Sequence, residues 1–433
     1  MRFISGGRAA AGDDVESPFG ARRQAHEVGL RAARSSFTSA NSDTHSGLYP
    51  LARALRRGQT ECEVTRRVAI ALTQAPTQQV SMKIAQIAPL YEDIPPKLYG
   101  GTERVVANLC DSLCDLGHDV TLFAAGGACT KAQLIVARER ALRLDPNPLK
   151  SEIGAHLAML HEVRSLAAEF DVLHFHTDLL HFPLFEAHAH RTVTTLHGRL
   201  DIADLHGTLE RWPSFGLVSI SDSQRAPVAK AHWLATVKHG LAPGIYRPPI
   251  APKGSYLAFL GRISPEKRAD VAIRIAQQAG IPLKIAAKVD KADEAYFDSV
   301  VRPLLDHPLV EFVGEIGDAD KSEFLGHACA LLFPICWPEP FGLVMIESMA
   351  CGTPVIAWRC GSVPEVVDPG VTGFIVESEQ QALAAISRAR ELSRERIRAV
   401  FERRFAARTM AEAYVHVYER VNPGRRKYVR LAS

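Results

Sequence analysis

The chain has 433 residues, 47% apolar and 23% charged, which excludes a low-hydrophobicity disordered chain and leaves ample material for packed cores. Fifty-one basic residues against 48 acidic ones give a net charge of +3, too balanced to imply nucleic-acid binding. No stretch reads as a membrane-spanning helix or a secretory signal, and the eight scattered cysteines hold no C-x-x-C pair, so a cytoplasmic protein without a structural zinc site is expected.

Residues 1–81 are rich in arginine, serine and alanine and contain no lysine. Beyond a short helical pattern at 64–73 they show no sustained period. They are expected to be a disordered extension, or a misassigned reading frame with the true start at Met82. From Met82 the pattern changes to strand, loop, helix, strand. Residues 83–88 form a compact apolar strand. Residues 103–116 carry Val105, Val106, Leu109 and Leu113 at helical spacing, with Gly117 as the stop. Strands are predicted at 120–124, 172–175, 192–196 and 217–219. A Pro-rich stretch, 241–249, reads as a linker. The pattern restarts with a strand at 256–260, a loop at 261–267, a helix at 269–279 and a strand at 283–287. Later strands are predicted at 310–313, 330–334, 355–357 and 373–376.

Alternating strands and helices imply parallel sheets covered on both faces. The expectation is an α/β chain of two Rossmann-like domains facing across a cleft, at 82–245 and 246–405. Helix 406–421 and a basic tail, 422–433, follow. Ligands in such sheets bind beyond the carboxyl ends of the strands, so two facing units would share one cleft.

Four constellations carry chemistry. In Pro338-Glu339-Pro340-Phe341-Gly342-Leu343…Glu347 a loop runs into a helix expected to begin near Phe341. Backbone N–H groups at Phe341, Gly342 and Leu343 make an anion site. Glu347 interrupts an apolar run and needs a partner, which a sugar diol would supply. In Gly261-Arg262-Ile263-Ser264-Pro265-Glu266-Lys267-Arg268, two cations, Arg262 and Lys267, follow a strand and suit a diphosphate, and Ser264-Pro265-Glu266 reads as a helix start. Arg268 reads as solvated surface. Tyr99-Gly100-Gly101-Thr102-Glu103 lets backbone approach a ligand, with Thr102 as the helix cap; it is neither a Walker loop nor G-x-G-x-x-G. Finally, His197 ends an apolar strand beside Gly198 and is placed to meet a substrate hydroxyl or phosphate. His174 and His176 alternate as metal ligands would, but no third ligand has telling spacing, so no metal is expected. His176 and Asp178 read as structural. Cys351 reads as an inert buried thiol, and Ser362 as a helix cap.

Taken in order, Gly100-Gly101, Thr195-Leu196-His197, Gly261-Arg262…Lys267, Glu339…Glu347, Ala350-Cys351-Gly352-Thr353-Pro354 and Gly361…Pro364-Glu365 resemble a bacterial retaining glycosyltransferase of family four, with the GT-B fold. The likeness runs from Met82 to about Val421, and Pro338-Glu339-Pro340-Phe341-Gly342-Leu343…Glu347 is its most specific part. The resemblance implies a nucleotide-sugar donor, no metal, and a last helix crossing back to the first domain. It implies that Arg262 and Lys267 hold the diphosphate and that Glu339 meets the donor-sugar hydroxyls. Phe341, Gly342 and Leu343 would give N–H groups, Glu347 would bind the ribose, His197 would sit by the reacting sugar, and Gly100-Gly101 would close over the phosphates. Catalysis would rest on His197, Glu339, Arg262 and Lys267. Two departures stand out: the family often has Lys-Gly where this chain has Lys267-Arg268, and Asn-Gly where it has His239-Gly240.

The expected function is retaining transfer of a hexosyl group from a nucleotide-diphosphate sugar to an acceptor hydroxyl on a sugar, a lipid-linked molecule or a small molecule. Acceptor contacts are expected near 199–213. A lipid-linked acceptor would bring the enzyme to the inner membrane surface. Alternatives are an epimerase or hydrolase of nucleotide sugars on the same fold, or a catalytically silent nucleotide-sugar-binding protein. Lys267→Ala and Glu347→Ala are expected to keep the fold and remove most transfer.

Overall fold

A computed structural model describes residues 81–98, 100–147 and 151–422. The expectations for 1–80, Tyr99 and the tail beyond Asn422 lie outside the described residues.

The first half holds β1 (Lys83–Ile87), α1 (Gly101–Asp115), β2 (Asp119–Ala125), β3 (Gln133–Arg138), α2 (Ile153–Leu166), β4 (Val172–Phe175), β5 (Thr192–Thr195), α3 (Ala203–Arg211), β6 (Gly216–Ser219) and β7 (Trp233–Thr236). Its seven strands are all parallel, in the order β3-β2-β1-β4-β5-β6-β7. The second half holds β8 (Tyr256–Ile263), α4 (Ala269–Ala279), β9 (Leu283–Val289), β10 (Val310–Gly314), α5 (Asp318–Gly326), β11 (Ala328–Phe333), α6 (Leu343–Ala350), β12 (Val355–Trp358) and β13 (Gly373–Val376), then α7 (Glu379–Arg390), α8 (Arg394–Arg404) and α9 (Ala407–Val421). Its six strands are also parallel, in the order β10-β9-β8-β11-β12-β13. Each order reverses beside the first strand of its sheet, between β1 and β4 and between β8 and β11. Those are the points where loops splay apart and leave a crevice.

The central strands are buried on both faces, as the apolar runs require: Ile84, Ala85 and Ile87 in β1, and Leu257 and Ala258 in β8, are all fully buried. Helix α9 packs on the first half. Its Met410, Tyr414, Val415 and Tyr418 join a core with Val105 and Leu109 of α1 and Val193 of β5. The chain thus returns to its starting sheet after building the second.

Several expectations are corrected. Strands β3 and β7 were not read from the sequence. β3 is only half-buried and lies at a sheet edge, so its apolar signal is weak. Strand β8 continues through Ile263, so Gly261 and Arg262 pair with Ala287 and Lys288 in the sheet and are not loop residues. No helix starts at Ser264. The helix begins at Ala269, with Arg268 as its N-cap in the left-handed region, φ 56°. Thr102 is no cap either: Gly100, φ 155°, precedes the first turn of α1, and Thr102 lies inside it. Ser362 precedes its helix but caps nothing there; its hydroxyl donates to Phe341 O at 2.8 Å. The expected linker is packed: Leu241 and Tyr246 are fully buried, and Leu241 exchanges backbone hydrogen bonds with Phe405 and Ala407 at 2.9 Å each.

Candidate active site

The cleft is walled by the carboxyl ends of both sheets. Gly100, Gly101, His176 and His197 come from the first half. Arg262, Lys267, Glu339, Gly342, Leu343 and Glu347 come from the second. A Cβ added to Gly101 would stand 3.4 Å from Leu343 Cδ1, so the glycine turn and the start of α6 face each other. All the residues predicted to serve the site therefore reach one cavity, with Phe341 among its lining.

The loop before α6 is held rigidly. Gly342 is left-handed, φ 76°, and turns the chain into the helix. The helix opens at Leu343, two residues later than the sequence suggested. Phe341 is 2% exposed, and its ring packs edge-on against His239, centroids 5.0 Å apart. Met345 N already donates to Gly342 O at 3.0 Å, so the N–H groups offered at the helix entry are those of Leu343 and Val344, with the positive end of the helix dipole behind them. Ser221 Oγ, from the first half, donates to Pro340 O at 2.6 Å, and Ser362 N donates to Glu339 O at 3.0 Å. The loop is thereby fixed from both walls.

Both predicted cations are ion-paired. Lys267 Nζ bonds Glu339 Oε2 and lies over the Trp337 ring, 4.8 Å from its centroid. Arg262 Nη2 bonds Glu266 Oε1 at 2.7 Å, with Asp290 and Asp293 carboxylates at 3.6 and 3.7 Å. Glu347 is 4% exposed, and its partner is a protein cation. Lys321 Nζ lies 2.8 Å from Glu347 Oε1, and Tyr246 OH, whose one proton goes to Asp318, lies 3.3 Å from the same oxygen. Tyr246 OH also lies 2.6 Å from Asp318 Oδ1, and Asp318 pairs with Arg104 of α1 at 2.9 Å. Burial opposes charge on Asp318, yet Arg104 and Lys321 hold its carboxyl below the usual range. Burial, then the charge on Glu347, pushes the Tyr246 phenol far up, so it stays a donor. Arg104, Tyr246, Asp318 and Lys321 were missed by sequence reading. Tyr246 sits in a Pro-rich stretch and Lys321 in a polar helix, so neither carries a local signal.

Histidines line the first wall. His197 is half-buried, and burial pushes its imidazole down to about 3. His176, read as structural, lies against it, Nδ1 to Nε2 2.9 Å. His239, one of the two departures from the family pattern, stacks on the other side with centroids 5.2 Å apart. Burial and neighbouring histidines hold His176 and His239 well below the ordinary value. Asp178 takes a left-handed conformation, φ 49°, and lines the cleft, where burial raises its carboxyl above the usual range. Of the segment expected to meet an acceptor, Arg199 lines the cleft. Arg199 is tied to Asp201 at 2.6 Å and lies over Trp337 at 5.4 Å. Cys351 is fully buried, and burial pushes its thiol up to about 12.

Two family models match the chain: "Glycosyltransferase Family 4" over residues 99–238 and "Glycosyl transferases group 1" over residues 247–403. A phosphatidyl-myo-inositol mannosyltransferase of Mycobacterium leprae is 26% identical over 373 residues, covering 78% of this chain and 97% of its own. A D-inositol 3-phosphate glycosyltransferase of Mycobacterium marinum is 32% identical over 139 residues, 29% of this chain and 28% of its own. Among solved structures, a glycosyltransferase involved in avilamycin A biosynthesis superposes with TM-score 0.62 at 25% identity, over 79% of this chain and 98% of its own. A sucrose-phosphate synthase from Thermosynechococcus elongatus superposes with TM-score 0.62 at 19% identity, over 79% of this chain and all of its own, a likeness of fold alone.

Proposed function

Since the chain is a GT-B glycosyltransferase of the family-four type, we propose that it transfers a hexosyl group, with retention, from a nucleotide-diphosphate sugar to an acceptor hydroxyl. The observation that carries this is the convergence of Lys267, Glu339 and the amide end of α6 at one point of the cleft, with Glu347 inside the same helix. In this reading the diphosphate takes Lys267 and Arg262 from their carboxylates and lies against the first N–H groups of α6. Glu339, released by Lys267, accepts from the donor-sugar hydroxyls. Glu347 accepts from the ribose with Lys321 beside it. Gly100 and Gly101 allow close backbone approach to the phosphates.

The reaction breaks the bond from the anomeric carbon to the diphosphate oxygen and forms one to the acceptor oxygen on the same face. The acceptor proton leaves on the diphosphate. Negative charge grows on the leaving group, where the cations and amides already stand, so little reorganisation is needed. The site residues fit this chemistry without a metal. The names of the relatives favour a mannosyl or other hexosyl donor, and a cyclitol, sugar or lipid-linked acceptor. Among the described residues no helix is long and apolar enough to cross a membrane, so a lipid-linked acceptor would be met at a membrane surface.

The test is a thermal-shift panel of UDP, GDP, ADP and their sugar conjugates, followed by NMR of the anomeric proton in the product. A shift with one nucleotide and a product of unchanged anomeric configuration support the reading. Folded protein that responds to none of them, or an inverted product, overturns it.

A further inference from the structure

The glycine turn ahead of α1 is held from the opposite half of the chain. Gly100 and Gly101 carry no side chains, so the turn can be fixed only through its backbone. Arg104, 3% exposed, does this with a guanidinium that works in two directions. Its Nη1 donates to Gly100 O at 3.2 Å and its Nη2 to Leu98 O at 3.0 Å, which grips the turn from both of its ends. Its Nε donates to Asp318 Oδ2 at 3.1 Å, and Nη2 stands 2.9 Å from Asp318 Oδ1. Asp318 opens α5 of the second half, and the approach to the turn rests on that same helix entry: a Cβ at Gly317 would lie 3.1 Å from Lys97 O. From Asp318 the contacts run on to Glu347. Tyr246 OH donates to Asp318 Oδ1 at 2.6 Å, and Lys321 Nζ lies 3.4 Å from that oxygen and 2.8 Å from Glu347 Oε1. Two cations and two carboxylates alternate along this path, and they balance only with Arg104 of the first half in place.

We propose that Arg104 is a positioning residue that sets the Gly100-Gly101 backbone against the donor diphosphate, with Asp318 of the second half as its anchor. A planar guanidinium can serve two carbonyls and a carboxylate at once, which a single ammonium cannot do in the same geometry. The phosphate wall thereby depends on the ribose wall, because the carboxylate that Arg104 grips also binds the groups around Glu347. Arg104 touches no reacting atom and acts through the backbone it holds. This inference rests on the reading of the cleft as a nucleotide-sugar site.

The experiment uses whichever of UDP, GDP and ADP shifts the melting point of the wild-type protein, together with its sugar conjugate and its bare nucleoside. Inhibition constants of the diphosphate and of the nucleoside are measured against turnover of the sugar conjugate in wild type, Arg104→Lys and Asp318→Asn. Arg104→Lys keeps a cation beside Asp318 and gives up the grip on the two carbonyls. It should melt near wild type, lower kcat/KM and weaken the diphosphate each by at least about tenfold, the worth of roughly one hydrogen bond to a charged group, and leave the nucleoside within about twofold. Asp318→Asn, which loosens the anchor and leaves the carbonyl bonds, should weaken the diphosphate in the same way. Unchanged diphosphate inhibition in either folded variant overturns the proposal. So does a nucleoside weakened as much as the diphosphate in Arg104→Lys, since Arg104 would then act on the ribose end and not on the phosphate wall. A wild-type protein that turns over no nucleotide sugar fails the glycosyl-transfer reading, whereas wild-type turnover with unaltered variants fails this inference alone.

Discussion

Lys321 Nζ stands 2.8 Å from Glu347 Oε1, with the two side chains 8% and 5% exposed. A carboxylate this deep in an apolar helix is tolerable only with a compensating charge, and Lys321 supplies it from the neighbouring helix. Removing one member strands the other. Lys321→Met should therefore cost about 3–5 kcal/mol of stability, measured by urea unfolding. The expectation that Glu347→Ala spares the fold is revised on the same ground. Lys321 then keeps Asp318, at 3.4 Å, and the Tyr246 hydroxyl, at 3.5 Å, and the melting point should drop along with the activity.

Lys267→Ala differs in degree, because its pair with Glu339 lies on the cleft wall, with the two side chains 17% and 11% exposed. Losing one donor to a developing charge costs roughly 3–4 kcal/mol in the transition state. Steady-state kinetics should show kcat/KM reduced by about a hundred- to thousand-fold, with the melting point within a few degrees of wild type. Near-wild-type kcat/KM would remove Lys267 from the mechanism.

Acid should destabilise this protein early. His174, His176, His181 and His239 are buried and held well below the ordinary histidine range, first by burial. Unfolded, each binds a proton below about pH 6.5; folded, it does not. The unfolded state then holds more protons, so stability rises with pH and is lost as pH falls below that value. Each histidine contributes a slope of about 1.4 kcal/mol per pH unit. Urea midpoints at pH 7.5, 6.5 and 5.5 test this: little change over the first step and a steep fall over the second. A flat profile would show that these rings charge in place.

Arg268 occupies a left-handed N-cap, φ 56°, where the family pattern often has glycine. A side chain there costs about 1–2 kcal/mol that glycine avoids, offset in part by glycine's greater freedom when unfolded. Arg268→Gly should stabilise the protein by about 0.5–1 kcal/mol, read from the urea midpoint. A loss of stability would mean that the arginine side chain outweighs its backbone strain.

Gly361 has φ 55°, and a Cβ there would lie 2.4 Å from both Glu339 N and Glu339 O. Backbone cannot yield as a side chain can, so Gly361→Ala must displace the Glu339 loop. Transfer should fall at least about a hundredfold, the scale of losing one positioned donor. Gly370→Ala, also at positive φ but with open space around it, should leave transfer near wild type. Equal effects from the two would show that strain, and not the Glu339 contact, is responsible.

The sequence by itself determined the repeating strand–helix order, and with it the two parallel sheets. Strands buried on both faces tend to be apolar runs, and β11 (Ala328–Phe333) and the first five residues of β8 are such runs. It also placed Glu339, Gly342 and Glu347 correctly at one loop and helix, because loop chemistry at a strand's carboxyl end is local. It could not show β3 and β7, which are edge strands only half-buried, or that Gly261 and Arg262 extend β8. Nor could it show who answers the charges. Lys321 reaches Glu347 across 26 residues and Gln86 reaches Tyr418 across 332. No periodicity links such pairs. Which polar group meets which is decided only when the helices dock, since a buried charge or donor accepts whatever partner packing brings within hydrogen-bond distance.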